Sequence, residues 1–253
     1  MIVLKSKREL ELMRVSGAVA AEVLRDLKRL IRPGLSTGEL DRKGGELIRA
    51  RGAESAFRGY HDYPGQICIS IDEEVVHGIG GSRLLKEGEI VSLDVGVRKN
   101  GYIGDTAATF PVGRVSPEKD RLMRVTEECL RAGIARTRVG NRLFDISAAI
   151  QRTAEAAGFS VVRDFVGHGV GAEMHEDPQV PNYGRPGTGI PLKAGMVLAL
   201  EPMVTAGGNE VEILDDRWTV VTRDRRPAAH AEHTVAVTEE GPEILTCLKM
   251  PSN

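Results

Sequence analysis

Hydrophobic positions along the chain follow a helical period, then a strand period, and then repeat that order. From Ser6 onward, Leu10, Met13, Val19, Val23, Leu27 and Leu30 recur at helical spacing. Ser6 with Glu9 makes a capping box at the start, and Pro33-Gly34 ends the helix. Ser36 with Glu39 opens a second helix that runs to Gly52. Between Ile67 and Val112 the pattern is that of extended chain, around turns at Gly80-Gly81 and Lys99-Asn100-Gly101. Ser116-Pro117-Glu118 predicts a third helix with Pro at its first position, and a fourth spans about Leu143 to Ala157. The remainder reads as strands and loops. The order is α+β, twice.

The repetition extends to individual residues. Leu85-Lys86-Glu87-Gly88 through Asp94 lines up with Leu192-Lys193-Ala194-Gly195 through Glu201, and Arg32-Pro33-Gly34 with Arg138-Val139-Gly140, at offsets of 107 and 106 residues. Each half therefore carries an acid after the same apolar run. A second acid follows in each, Asp105 and Glu232, with a longer connection in the second half. The expectation is one domain over residues 1–253, made of pseudo-repeats at about 6–112 and 116–248.

Those acids change the picture from fold to chemistry. Asp94 interrupts Ile90-Val91-Ser92-Leu93 and Val95-Gly96-Val97, Glu201 ends Met196-Val197-Leu198-Ala199-Leu200, and Glu232 precedes Thr234-Val235-Ala236-Val237. A carboxylate in a core-type strand is costly unless it is paired or bound to a cation. No Lys or Arg stands inside these runs. Four such acids, with His168 in the Gly-rich turn Val166-Gly167-His168-Gly169-Val170-Gly171, point to two adjacent cations on a pseudo-twofold axis. Four unrelated salt-bridged acids are the simpler alternative, and the missing basic partners count against it. The glycines fit no phosphate loop, since no Lys-Ser/Thr follows. They read as letting backbone pass close to an imidazole.

Composition narrows the class. With 34 Lys and Arg against 36 Asp and Glu, the charge calls for neither nucleic acid nor a membrane surface. The basic run Arg223-Asp224-Arg225-Arg226 reads as a solvated loop. Three widely spaced cysteines give no disulfide framework and no zinc ribbon, so a reducing compartment is expected. The apolar start is too short for a secretory signal, and no stretch is long enough to span a bilayer. A cytoplasmic protein is expected. Among the other histidines, His77 lies in Val75-Val76-His77-Gly78, on the run leading to the first acid pair, which gives it a functional reading beside a structural one. His61, His230 and His233 read as structural, and on a strand His233 would face away from Glu232.

Seven segments in order along nearly the whole chain, Val75-Val76-His77-Gly78, Leu93-Asp94-Val95-Gly96, Gly104-Asp105-Thr106, Gly167-His168-Gly169-Val170-Gly171, His175-Glu176-Asp177-Pro178, Glu201-Pro202-Met203 and Glu232-His233-Thr234, resemble type I methionine aminopeptidase. The resemblance implies a pita-bread α/β fold, with two pseudo-symmetric halves around a curved antiparallel sheet and helices on its outer face. It implies that Asp94 holds one metal, His168 and Glu201 the other, and that Asp105 and Glu232 bridge both. Water between the cations would be the nucleophile, and Glu201 would handle its proton. His175 would polarise the scissile carbonyl, and His77 would lie near the amide nitrogen. Tyr60, Tyr63, Cys68, Met174 and Trp218 would line the methionine pocket, with Phe57 at its edge. Met174 stands where a Phe is usual and Phe57 where a smaller residue is common, which puts the pocket's shape in question.

The implied reaction is release of an N-terminal Met from nascent proteins and peptides when the second residue is small. The implied cofactors are two divalent ions drawn from Co, Mn, Fe, Ni and Zn, which ligand type does not distinguish. The ribosome is a candidate partner, and a monomer is expected. The short distance from Glu201 to Glu232 argues against the type II branch, and the lack of an N-terminal extension fits the compact bacterial form. The rivals are a prolidase or aminopeptidase P, which carry an extra N-terminal domain, and a binding module on the same fold that has lost its ligands.

Overall fold

A computed structural model describes residues 1–248. Helices α1 (Lys7–Lys28) and α2 (Thr37–Ala50) begin on Ser6 and Ser36, and both capping boxes are formed in full. Each Ser cap contributes about 1 kcal/mol to its helix. Helix α1 stops well short of Pro33, because the Leu30 and Ile31 amides donate to carbonyls only three residues back and tighten the last turn.

The extended region resolves into β1 (Glu54–Ser55), β2 (Cys68–Ile71), β3 (Glu74–Val76), β4 (Ile90–Lys99) and β5 (Tyr102–Pro111). Strands β4 and β5 form a long antiparallel hairpin, turning at Asn100 and Gly101 with both φ positive. Helices α3 (Pro117–Ile134) and α4 (Leu143–Ala156) follow, the first with Pro117 at its start. The second half adds β6 (Ser160–Val161), β7 (Gly167–Gly169), β8 (Glu176–Val180), β9 (Val197–Leu200) and β10 (Met203–Thr205). It closes with β11 (Val211–Ile213), β12 (Val220–Thr222), β13 (Ala228–His230), β14 (Glu232–Thr238) and β15 (Gly241–Ile244).

The main sheet runs β1-β4-β5-β14-β9-β7-β8, with β2 added to β4 and β15 to β14. Every pairing in it is antiparallel. Strands of both halves meet where β5 pairs with β14. Two small sheets, β13-β10-β6 and β11-β12-β3, flank it.

Strand alternation sorts the side chains into layers. Leu93, Val95 and Val97 pack with Val23, Leu24 and Leu27 of α1 and Leu40 and Ile48 of α2. Leu198, Leu200, Val235 and Val237 pack with Leu122, Val125, Ile146 and Ile150 of α3 and α4. Each helix pair thus covers the outer face of one half. The opposite face of the sheet carries a third cluster, in which Cys68, Val197, Ala199 and Ala236 meet Phe57, Tyr63 and Met174. Full burial of a Leu or Val stabilises by about 1.5–3 kcal/mol, so the outer layers hold the inner face rigid against its own charges. None of the helices among the described residues is long and apolar enough to cross a membrane.

Candidate metal centre

Register alone brings three of the acids together. Asp94 pairs with Ala107, and Asp105, two residues back on β5, lies diagonally across from it on the same face. Ala107 in turn pairs with Glu232 on β14. Asp94, Asp105 and Glu232 therefore project from three adjacent strands onto one face. Glu201 follows the last residue of β9 and continues the inward series Val197, Ala199, Glu201. Asp105 and Glu232 are each 2% exposed. Thr234 pins the hairpin to β14, its hydroxyl donating to the Asp105 carbonyl at 2.8 Å and accepting from the Asp105 amide at 3.1 Å.

His168 arrives from β7, paired with Ala199. Gly169 beside it lies so close to the Asp177 carbonyl that a side chain there would collide with backbone. The Nδ1 of His168 is 2.9 Å from the Gly169 carbonyl. A carbonyl only accepts, so Nδ1 carries the proton and Nε2 presents its lone pair to the acids. Nε2 stands 3.6 Å from Glu201 Oε1 and 3.8 Å from Asp105 Oδ2. One ligand atom from each of Asp105, His168 and Glu232 lies within 4.8 Å of the other two.

The electrostatics ask for a cation. Burial, then the neighbouring negative charges, push Asp94 and Glu232 well above the ordinary carboxylate range. Burial pushes Asp105 and Glu201 up to about 8, with Glu201 adding to the effect on Asp105. Burial holds His168 down to about 3, which keeps the imidazole neutral as ligation requires. Among the described residues only histidines reach these carboxylates as basic partners: His168, and His230 at 3.5 Å from Glu201 Oε2. Asp94 Oδ1, Asp105 Oδ1 and Glu232 Oε1 are buried with no hydrogen-bond partner. Three orphaned carboxylate oxygens converging with a neutral imidazole are a fitting donor set for divalent metal.

The acids open onto a cavity of about 400 Å³. His77, Asp94, Asp105, His168, His175, Glu201 and Glu232 all border it, as do Phe57, Tyr60, Tyr63, Cys68, Met174 and Trp218. Every candidate from the sequence therefore lies at one cavity. Tyr63 anchors its apolar end, donating toward the Ile67 and Gly78 carbonyls at 3.1 and 2.9 Å and meeting Trp218 edge-on at 5.0 Å. His77 has positive φ and packs its ring against Phe165 and Trp218. The His175 Nδ1 is 2.7 Å from the Tyr60 hydroxyl, and its ring centroid is 4.3 Å from that of His168.

Two histidines depart from the structural reading. His61 borders the cavity beside Tyr60, and His230 faces Glu201 with its Nε2 otherwise unpartnered. No motif flags either one. His61 is placed by a turn with positive φ at Gly59, His61 and Asp62, and His230 reaches Glu201 only because β13 crosses next to β10. His233 does not border the cavity, and its Nδ1 meets Thr246 Oγ1 at 2.9 Å instead. The arginines of 223–226 are ion-paired, Arg223 with Glu210, Arg225 with Glu212 and Arg226 with Glu118.

Comparison with known proteins agrees with this geometry. Residues 11–239 match metallopeptidase family M24. A methionine aminopeptidase of Clostridium perfringens is 53% identical over 98% of this chain and 100% of its own. Methionine aminopeptidase 1 of Bacillus subtilis is 52% identical over 97% of this chain and 99% of its own. The crystal structure of methionine aminopeptidase from Thermotoga maritima superposes with a TM-score of 0.96 at 46% identity, covering 97% of this chain and 99% of that one. With its curved antiparallel sheet and outer helices in the pita-bread arrangement, the chain belongs to metallopeptidase family M24, among the bacterial type I methionine aminopeptidases.

Proposed function

We propose that the cavity binds an N-terminal methionine and that the buried acids hold two divalent cations for hydrolysis of the bond that follows it. Metal-dependent methionyl aminopeptidase activity is the family's chemistry, and its setting here is one apolar pocket opening directly onto orphaned carboxylates. Asp94 would hold one cation and His168 with Glu201 the other, with Asp105 and Glu232 shared. Diagonal register supports the sharing, because Asp105 and Glu232 stand between Asp94 and the His168–Glu201 side. Bound there, the cations supply Lewis acidity and lower the pKa of water.

The chain's own groups do the rest. Glu201, which borders the cavity beside the other acids, accepts the proton of the attacking water and passes it on. His175 donates from Nε2 to the carbonyl oxygen as charge builds there. In that tautomer the Tyr60 hydroxyl, 2.7 Å away, donates to Nδ1. Burial holds His77 down to about 4, so it meets the leaving amide nitrogen as a neutral imidazole. Tyr63, Cys68 and Trp218 form a thioether-compatible wall, Tyr60 and Met174 close it, and Phe57 stands at its edge. The two halves of the sheet act as pseudo-repeats that each bring two acids. The substrates are nascent proteins and peptides whose second residue is small. The enzyme works as a cytoplasmic monomer with the ribosome as the source of its substrate. Release of Met from Met-Ala-Ser by metal-loaded protein, with no cleavage of an Xaa-Pro peptide, tests this reading.

A further inference from the structure

Lys5 has no part in the chemistry above, yet its side chain is only 3% exposed. Its ammonium pairs with the Glu176 carboxylate, itself 15% exposed, and donates to the Val3 carbonyl at 3.2 Å. Its main-chain amide donates to the Gly195 carbonyl at 2.7 Å. Gly195 lies in the turn that feeds β9, and Glu176 is the first residue of β8. Lys5 thus joins the start of β9, which leads to Glu201, to the start of β8, which His175 precedes.

Glu176 follows His175 directly, where the bend of residues 171–175 enters β8. His175 borders the cavity while Glu176 points back to Lys5. The segment 170–175 is also tied by Val170 N–H to the Val197 carbonyl at 3.1 Å, Ile103 N–H to the Gly171 carbonyl at 2.8 Å, Arg98 to the Ala172 carbonyl at 2.7 Å and the Tyr60 hydroxyl against His175 Nδ1 at 2.7 Å, and Lys5 adds the tie at Glu176. Packing around the ion pair is tight, since a side chain at Gly171 would strike both Glu176 Oε1 and the end of Lys5. A buried Lys–Glu pair is expensive to desolvate and often no better for stability than an apolar pair. What it offers is direction: it fixes where the Glu176 backbone, and so the His175 ring, sits.

We infer that Lys5 is a positioning residue for His175, acting through Glu176. This rests on the role given to His175 above. The test is a double-mutant cycle on metal-loaded enzyme with Met-Ala-Ser. Lys5→Met should lower kcat by about 10-fold or more, the scale of a misplaced catalytic group, with KM changed less than about twofold. Lys5→Arg should recover most of the loss. In a His175→Ala background, Lys5→Met should cost less than about twofold further. Amide exchange of residues 170–175 should be faster in Lys5→Met. Equal fold-losses in both backgrounds, or unchanged kcat with slow exchange, would overturn the inference. If Lys5→Met does not fold, Glu176→Gln gives the same comparison with side-chain volume kept. Full activity of His175→Ala by itself would instead remove the reading beneath, and the inference with it.

Discussion

Stripping the metal should leave a protein that becomes less stable as pH rises above about 7.5. The site's acids have folded pKa values above their unfolded ones. Asp105 rises from 3.8 to about 8, Glu201 from 4.5 to about 8, and Asp94 and Glu232 rise well above 3.8 and 4.5. The folded, metal-free chain therefore keeps protons that the unfolded chain releases, so stability falls with pH between the two values. Buried histidines act the opposite way. His77, His230 and His233 are held down to about 4 and His168 to about 3, all from 6.5. They add stability as pH rises toward 6.5 and, because the unfolded histidines are still half protonated there, go on adding some until about pH 7.5. Above about pH 7.5 the acids act alone. One proton held by the native state gives a slope of about 1.4 kcal/mol per pH unit, so about 1 kcal/mol should vanish between about pH 7.5 and about pH 8.5 even if the four coupled acids behave as one. Urea denaturation of chelated protein at a series of pH values, followed by far-UV circular dichroism, measures it. Adding Mn²⁺ should abolish the decline, since the cation replaces the protons. Flat or rising stability of the chelated protein from about pH 7.5 to about pH 8.5 would refute the charge arrangement.

Other consequences are read by simpler assays. Asp105→Ala should fold but turn over no Met-Ala-Ser, with metal content below wild type by elemental analysis; a fully active variant would exclude a shared ligand. His175→Ala should lower kcat by about 10²-fold or more, as for loss of an oxyanion donor, while metal content stays at the wild-type level; loss of metal would make His175 a ligand. Met-Ala and Met-Gly peptides should be cleaved faster than Met-Ile by about 10–200-fold, the range that methyl clashes in a tight pocket produce. Equal kcat/KM for Met-Ala and Met-Ile would remove the preference for a small second residue.

What the sequence made legible follows from how local each signal is. The capping boxes at Ser6 and Ser36 are complete within four residues, and both helices start there. Asp94, Asp105, Glu201 and Glu232 announce themselves because an acid in a core strand has no cheap local explanation, and register then gathers them. The small sheets formed by β6, β10 and β13 and by β3, β11 and β12 had no such signal, since strands of two or three residues carry too little periodicity. His230 was hidden because its neighbour Glu201 comes from a different sheet, and Lys5 because its partner lies 171 residues away. The Tyr60–His175 contact likewise depends on the turn geometry around His61, which no local composition specifies.

Metal-dependent release of methionine is the most direct test of the proposed site. Chelated protein should leave Met-Ala-Ser intact, and stepwise addition of Mn²⁺ or Co²⁺ should restore cleavage as two equivalents bind by isothermal titration calorimetry. An Xaa-Pro dipeptide should remain uncut throughout. Full activity after exhaustive chelation, or cleavage of Xaa-Pro in preference to Met-Ala-Ser, would contradict the assignment of these acids and this pocket.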